Sequence, residues 1–468
     1  MPPVTRAAAA LLLSVTATPT GLGRERVTTR DERWEASVEG QHPEEAEWME
    51  REYSEGSNSA SNAVANRAQG SADAVASNNR HVLTTALKGL RGQERRSARV
   101  EIMAQQEYAK KQHQLANRHS KRAHMVHSLS PITSLPSTST LPSLPVTSTG
   151  WSARRPKPET SLLPISELKE RAPLLPQVPF DPTTTSPTSI RSGPHVLAAR
   201  STLPPPAIQQ AITNFLLEVD EFRASAPGAF SLTEPSRGVH DSVIFGVTRT
   251  YQNHLHLTRV HKKYRKQTQD LLASASLNVI ARWATELVGA HFPKVKQRYT
   301  DAKKLLDIPR YHTDSSPDDK WKAPFGIFTL LTINRSKVGP VDVGPHLDYK
   351  NPAGGVCVVI PYGIFDSTRK HWLVLWDLGI IIEVPAGVAL AFPSALVLHW
   401  NCDLVTTAGE RPTRANSARF EADGRGSLVF FTQATVLMLA ELGRSAKAAR
   451  EAGQDACYRG LDDIFRFL

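Results

Sequence analysis

The chain has 468 residues, a formal net charge of +11, 33 prolines and 40% apolar residues. So many prolines with so modest an apolar fraction exclude a chain that is packed core throughout, and the surplus of Lys and Arg favours a polyanionic partner, through a folded surface or a basic tail. Three cysteines without CxxC spacing, Cys357, Cys402 and Cys457, exclude a disulfide scaffold and a four-cysteine zinc site and suit a reducing compartment, and no apolar run approaches a membrane span.

Residues 1–80 read as a disordered low-complexity tail, with Ser54 to Asn79 mostly Ser, Asn, Ala and Gly. Within it, the apolar run Ala7 to Val15 behind Arg6 has the outline of a mitochondrial or secretory targeting segment, the alternative being plain tail. Residues 81–127 lack proline and carry Lys88, Arg91, Arg95, Arg96 and Arg99, then further cations to Arg122. They read as a basic helical segment, either an arm that contacts nucleic-acid phosphates or a charged helix with no partner. Residues 128–206 read as a Pro/Ser/Thr-rich linker of extended backbone, with the folded domain at 207–468.

That domain opens with apolar stripes at helical spacing, over Ala207 to Arg223 and Lys266 to Gly289. From Phe325 the pattern changes to short β-rich runs divided by Gly, Pro and Asp clusters. The runs are Phe325–Ile333, Val356–Ile360, Trp372–Leu375, Ile380–Val384, Val388–Phe392, Ala395–Leu398 and Leu428–Thr432. Seven short strands with few intervening helices predict an α+β fold with a double-sheet jelly-roll core and flanking helices, closed by a helix over Met438 to Gly453.

Chemistry concentrates between His346 and Ser427. His346 and Asp348 are spaced i, i+2, which places both side chains on one face of an extended segment. A second His-x-Asp, His312-Thr313-Asp314, lies in a polar run that no strand could organise. His399 follows the run at Ala395; standing alone it would be a core histidine bonded to a carbonyl. Two His and one carboxylate form the facial set that binds Fe(II) and leaves positions open. Arg425 and Ser427 share a face of the last strand, where a guanidinium can grip a carboxylate at two points. Arg411, Arg414 and Arg419 in the loop from Cys402 to Gly424 are its rivals.

In this order the residues resemble an Fe(II)/2-oxoglutarate-dependent dioxygenase. The runs His346-Leu347-Asp348-Tyr349-Lys350-Asn351, Trp372 to Leu378, Glu383 to Gly387, Phe392 to Ala395 and Arg425 to Phe431 are similar to a fungal group of such enzymes. That group is related to the ten-eleven-translocation and J-binding-protein enzymes, abundant in mushroom-forming fungi and often found near transposons. The match spans about residues 320–442. It implies that His346, Asp348 and His399 hold Fe(II), that Arg425 helped by Ser427 binds the distal carboxylate of 2-oxoglutarate, and that the substrate is the methyl group of a pyrimidine flipped out of DNA, which suits the nucleus. The insertion from Cys402 to Gly424 departs from the pattern. Trp376 and Trp400 are either stacking platforms for the base or core. The alternatives are the same chemistry on a protein or small molecule, and an inactive transposon-linked DNA-binding remnant.

Overall fold

Period-two alternation builds the large sheet around the candidate site. In the strand Gly426–Phe431, Leu428 and Phe430 point into one apolar core while Ser427, Val429 and Phe431 line a cavity on the other side. The neighbouring strand Leu330–Arg335 does the same, with Leu331 and Ile333 in the core and Leu330, Thr332 and Asn334 on the cavity. So does Asp241–Thr248, with Val243, Phe245 and Val247 against Ser242 and Ile244.

The computed structural model describes only short pieces before residue 165: most of 91–103, then 107, 123, 133–136 and 146–154. From 165 onward it describes all but 234–237, 239, 250–254, 307–324, 336–340, 342, 405–423, 455–456 and 459–460. The low-complexity tail, most of the basic segment and nearly all of the 402–424 insertion therefore lie outside the described residues, as does His312-Thr313-Asp314. Residues 92–96 and 98–100 are helical, and Arg91, Arg95, Arg96 and Arg99 are exposed.

Thirteen described strands form two sheets. They are β1 (Thr133–Pro136), β2 (Gln177–Val178), β3 (Thr188–Ser192), β4 (His195–Arg200), β5 (Asp241–Thr248), β6 (His256–Leu257), β7 (Leu330–Arg335), β8 (Cys357–Tyr362), β9 (Trp372–Leu375), β10 (Ile380–Ile382), β11 (Leu390–Phe392), β12 (His399–Cys402) and β13 (Gly426–Phe431). The large sheet runs β1-β3-β4-β11-β8-β13-β7-β5-β6 and the small one β12-β9-β10-β2. Pairing is antiparallel except for β1 with β3 and β10 with β2.

The sheets face each other across a core of Leu197, Cys357, Leu375, Ile382, Leu390 and Phe392. Nine α-helices accompany them among the described residues from 165 onward: α1 (Ile165–Arg171), α2 (Pro206–Ser225), α3 (Arg259–Lys263), α4 (Arg265–Leu272), α5 (Ala275–His291), α6 (Pro293–Leu306), α7 (Ala434–Leu442), α8 (Ala446–Glu451) and α9 (Leu461–Phe465). Apolar side chains of α2, α5, α6 and α7 cover the outer face of the large sheet, with Phe215, Trp283, Phe292 and Tyr299 fully buried among them. On the outer face of the small sheet, Leu168 of α1 packs with Trp372, Val374, Ile381 and Trp400. This is the expected α+β jelly roll with flanking helices. No helix among the described residues is long and apolar enough to cross a membrane.

Several boundaries differ from expectation. The stripe from Lys266 to Gly289 is two helices, because Ser274 ends one and caps the next, its side chain accepting from Leu277 N at 3.0 Å. The closing helix divides likewise: Gly443, in the left-handed region at φ 67°, ends α7, and Ser445 caps α8.

The linker expected over 128–206 is the larger correction. Residues 165–200 form α1 and β2 to β4, and β4 lies between β3 and β11 with Leu197, Ala198 and Ala199 wholly buried. The turn Gly193-Pro194 closes the β3–β4 hairpin, with Gly193 at φ 56°. Arg200, buried at the end of β4, donates to the carbonyls of Val178 and Glu383 at 3.0 and 2.8 Å and so ties the two sheets together.

A truncation tests this boundary. Removing residues 1–200 strips Ile190, Val196 and Leu197, each worth about 1.5–3 kcal/mol when buried. Their sum rivals the ~5–15 kcal/mol that holds a typical domain together, and the edge of β11 is left bare. A chain beginning after Arg200 is expected to show no cooperative thermal transition, whereas one beginning at Arg91 melts like the full chain. A cooperative melt after the longer truncation would mean that the hairpin is dispensable.

Candidate metal centre

The site is set by main-chain pairing. His346 and His399 form an isolated antiparallel bridge, each N–H donating to the other's carbonyl at 3.1 and 3.0 Å. Residues that exchange both bonds stand directly opposite, so their side chains leave on the same face. The imidazole centroids lie 4.1 Å apart. Asp348, two residues after His346, shares that face, and its N–H donates to Ser394 O at 3.0 Å. One ligand atom from each of His346, Asp348 and His399 lies within 4.8 Å of the others. His346 Nε2 is 3.8 Å and His399 Nε2 3.9 Å from the Asp348 carboxylate oxygens.

Both histidines face inward with the right nitrogen. His346 Nδ1 lies 2.8 Å from Gly344 O and His399 Nδ1 2.8 Å from Val397 O. A carbonyl only accepts, so each Nδ1 carries a proton and each Nε2 is the nitrogen turned toward Asp348 and left to ligate a metal. Imidazoles oriented in this way are what a metal ligand set requires, and the residues fit a divalent transition ion. Cys357 is buried nearby. Burial, then the Asp348 charge, pushes its thiol up, and it is not among the residues whose ligand atoms come together at the site.

The strand expected at Ala395–Leu398 is instead a turn. Leu396 N and Val397 N both donate to Pro393 O, and β12 begins at His399 itself. His399 therefore opens a strand rather than closing one, against Phe392 at 4.9 Å between centroids.

The three residues line one side of a cavity of about 600 Å³ between the sheets, a volume ordinary for small-molecule sites. Arg425 and Ser427 line it too, and both are buried. Arg425 donates through one terminal nitrogen to Val341 O at 3.0 Å, which fixes the plane of its fork. Ser427 Oγ accepts from Asn334 Nδ2 at 3.1 Å across the β13–β7 pair. Burial pushes the Tyr362 hydroxyl up, so it stays protonated and donates to Asn334 O at 2.8 Å. The rival arginines 411, 414 and 419 lie outside the described residues.

Both tryptophans belong to the apolar cluster on the small sheet, and Trp400 also lines the cavity. Trp400 is 1% exposed and packs on the outer face of the small sheet with Trp376, their centroids 5.7 Å apart. Sequence reasoning missed other lining residues: Arg259, Lys350, His240 and Asn334. The alternation over Asp241–Thr248 could have exposed β5, and the run Arg259 to Lys266, with five Lys or Arg and no acid, could have exposed the first of these four.

No protein-family model and no curated protein matches the chain. Among solved structures it is similar to NgTET1 in complex with 5mC DNA, at 14% identity over 53% of this chain and 76% of that one, with a TM-score of 0.34. It is similar to an oxidoreductase of the 2OG-Fe(II) oxygenase family from Burkholderia pseudomallei, at 18% identity over 46% and 76%, with a TM-score of 0.25. OsALKBH1 is similar at 12% identity over 46% and 91%, with a TM-score of 0.24.

Proposed function

We propose that the protein is an Fe(II)- and 2-oxoglutarate-dependent dioxygenase that oxidises the methyl group of a modified pyrimidine, such as 5-methylcytosine, in DNA. The observation that carries the chemistry is the convergence of His346 Nε2, His399 Nε2 and the Asp348 carboxylate in a cavity that also holds the buried Arg425. Bound Fe(II) with 2-oxoglutarate would supply the oxidising power for the C–H bond.

The remaining work falls to the chain. Arg425 holds the distal carboxylate of the co-substrate with the nitrogens that Val341 does not use, and Ser427 adds a hydroxyl from the same strand face. Val343, Leu373, Val429 and Phe431 supply apolar wall that limits water at the site. A base must leave its stack to reach a cavity between two sheets, which agrees with an extruded nucleotide. The choice of a pyrimidine in DNA, and with it a nuclear location, rests on the resemblance of the His346 to Asn351 and Arg425 to Phe431 runs.

The direct test is incubation of purified protein with Fe(II), 2-oxoglutarate and cytosine-methylated duplex, followed by mass spectrometry of nucleosides and succinate. Hydroxymethylated nucleoside with matching succinate is expected. Succinate release without any altered nucleoside would remove DNA as substrate and keep the chemistry; a protein that binds neither metal nor 2-oxoglutarate would refute the chemistry.

A further inference from the structure

Two of the residues that line the cavity are exposed, Arg259 and Lys350, and exposure places them at its mouth. They come from separate elements. Arg259 begins α3, and the preceding Thr258 is pinned to β5, its hydroxyl donating to Ile244 O at 2.7 Å and its N–H to Gly246 O at 3.0 Å. Lys350 sits in the turn after Asp348, closed by Asn351 N donating to Asp348 O at 2.8 Å, while Ala434 N donates to Lys350 O at 2.8 Å. Both main chains are thus held, and neither side chain has an ion-pair partner among the described residues.

Charge balance points outward. Arg259, Lys350 and Arg425 line the cavity, and Asp348 is the single carboxylate among its described lining residues. Asp348 is committed to the metal, which brings two more positive charges. Arg425 and the metal suffice for a dicarboxylate co-substrate, so the two cations at the mouth are left to meet negative charge that arrives with the substrate. The surplus extends away from the mouth. Lys262, Lys263 and Lys266 are exposed on α3 and α4, Arg265 lies among them, and no acid occurs from Arg259 to Lys266.

We infer that Arg259 and Lys350 form a phosphate-binding rim that grips the phosphodiesters beside an inserted nucleotide, and that the ridge from Arg259 to Lys266 carries the adjoining strand. The identity of the base rests on the function proposed above; the rim does not depend on that base. Both side chains reach from held backbone, and two exposed cations supplied to one opening by separate elements suit the phosphates that flank an extruded base.

The test uses the full chain with Mn(II) and 2-oxoglutarate, a fluorescein-labelled cytosine-methylated oligonucleotide, and anisotropy over a salt series. Each phosphate contact adds about 0.9 to the slope of log affinity against log salt, so Arg259→Gln with Lys350→Gln should flatten that slope by about 1.8 and weaken binding about tenfold or more at low salt. Lys294→Gln, on α6 in the helical layer over the opposite face of the large sheet, should leave the slope as it was. Lys263→Gln with Lys266→Gln should reduce it by a further amount of the same kind. Unchanged slope and affinity in the rim variant, with an unchanged melting curve, would overturn the inference. So would displacement of the oligonucleotide from wild-type protein by inorganic phosphate or cytidine monophosphate at equal phosphate concentration, which would make the rim a site for small anions. Binding of 2-oxoglutarate is read in the same samples by calorimetry: its absence in wild-type protein counts against the dioxygenase, while the slope still reports on the rim.

Discussion

His399→Ala is expected to eliminate metal binding and all turnover while leaving a folded protein. The substitution removes one of three donors and leaves His346 and Asp348 as an incomplete pair. Loss of a partner that merely orients a ligand typically lowers metal affinity about 10- to 100-fold, so loss of a ligand itself should exceed that range. The fold should survive because the bridge to His346 uses only the N–H and C=O of residue 399, which alanine retains. What is lost is packing against Phe392, a cost of about 1–3 kcal/mol by the usual range for point substitutions. Calorimetric titration with Mn(II), beside a thermal melt, separates the two effects. A folded variant that binds Mn(II) as wild type does would show that the three residues are not a ligand set.

The second large effect concerns the co-substrate. Arg425→Lys keeps the charge but loses the planar fork, and with it the simultaneous reach to Val341 O and a carboxylate. A hydrogen bond to a charged group contributes about 1.5–3 kcal/mol, so the 2-oxoglutarate requirement should rise about 10- to 100-fold. Mn(II) affinity should stay near the wild-type value, because no ligand is touched. Arg411→Ala, Arg414→Ala and Arg419→Ala provide the comparison, and each should retain co-substrate affinity. If one of those three abolishes 2-oxoglutarate binding and Arg425→Lys does not, the anchor lies in the loop and the strand face of Arg425 serves another purpose.

The legible parts of this site were those written in side-chain chemistry. His346, Asp348, His399 and Arg425 stand out because few residue types can ligate a metal or fork a carboxylate, and two of the four lie at strand spacing. Strand limits were less legible, since Pro393 starts a turn that an apolar run such as Ala395–Leu398 does not advertise. The β3–β4 hairpin was hidden by composition. Its surroundings are rich in Pro, Ser and Thr, and a strand buried on both faces, such as Val196 to Ala199, has no alternation to betray it. Long-range pairing decided that case: β4 is held by β11, which lies some two hundred residues further along the chain. The rim residues escaped because Arg259 and Lys350 become neighbours of one opening only after folding.

The two histidines of the candidate metal centre are aimed by the same device, a carbonyl two residues upstream in each one's own loop, at Gly344 and Val397. Every amino acid supplies that oxygen. Many metal sites instead hold their imidazoles with a second carboxylate, which must be kept as a particular residue. Here the aiming can persist while the surrounding sequence drifts, provided the backbone path is preserved. Descendants of such a chain can diverge widely around the ligands without turning the rings, so kinship between them would be written in main-chain geometry long after it had faded from the letters.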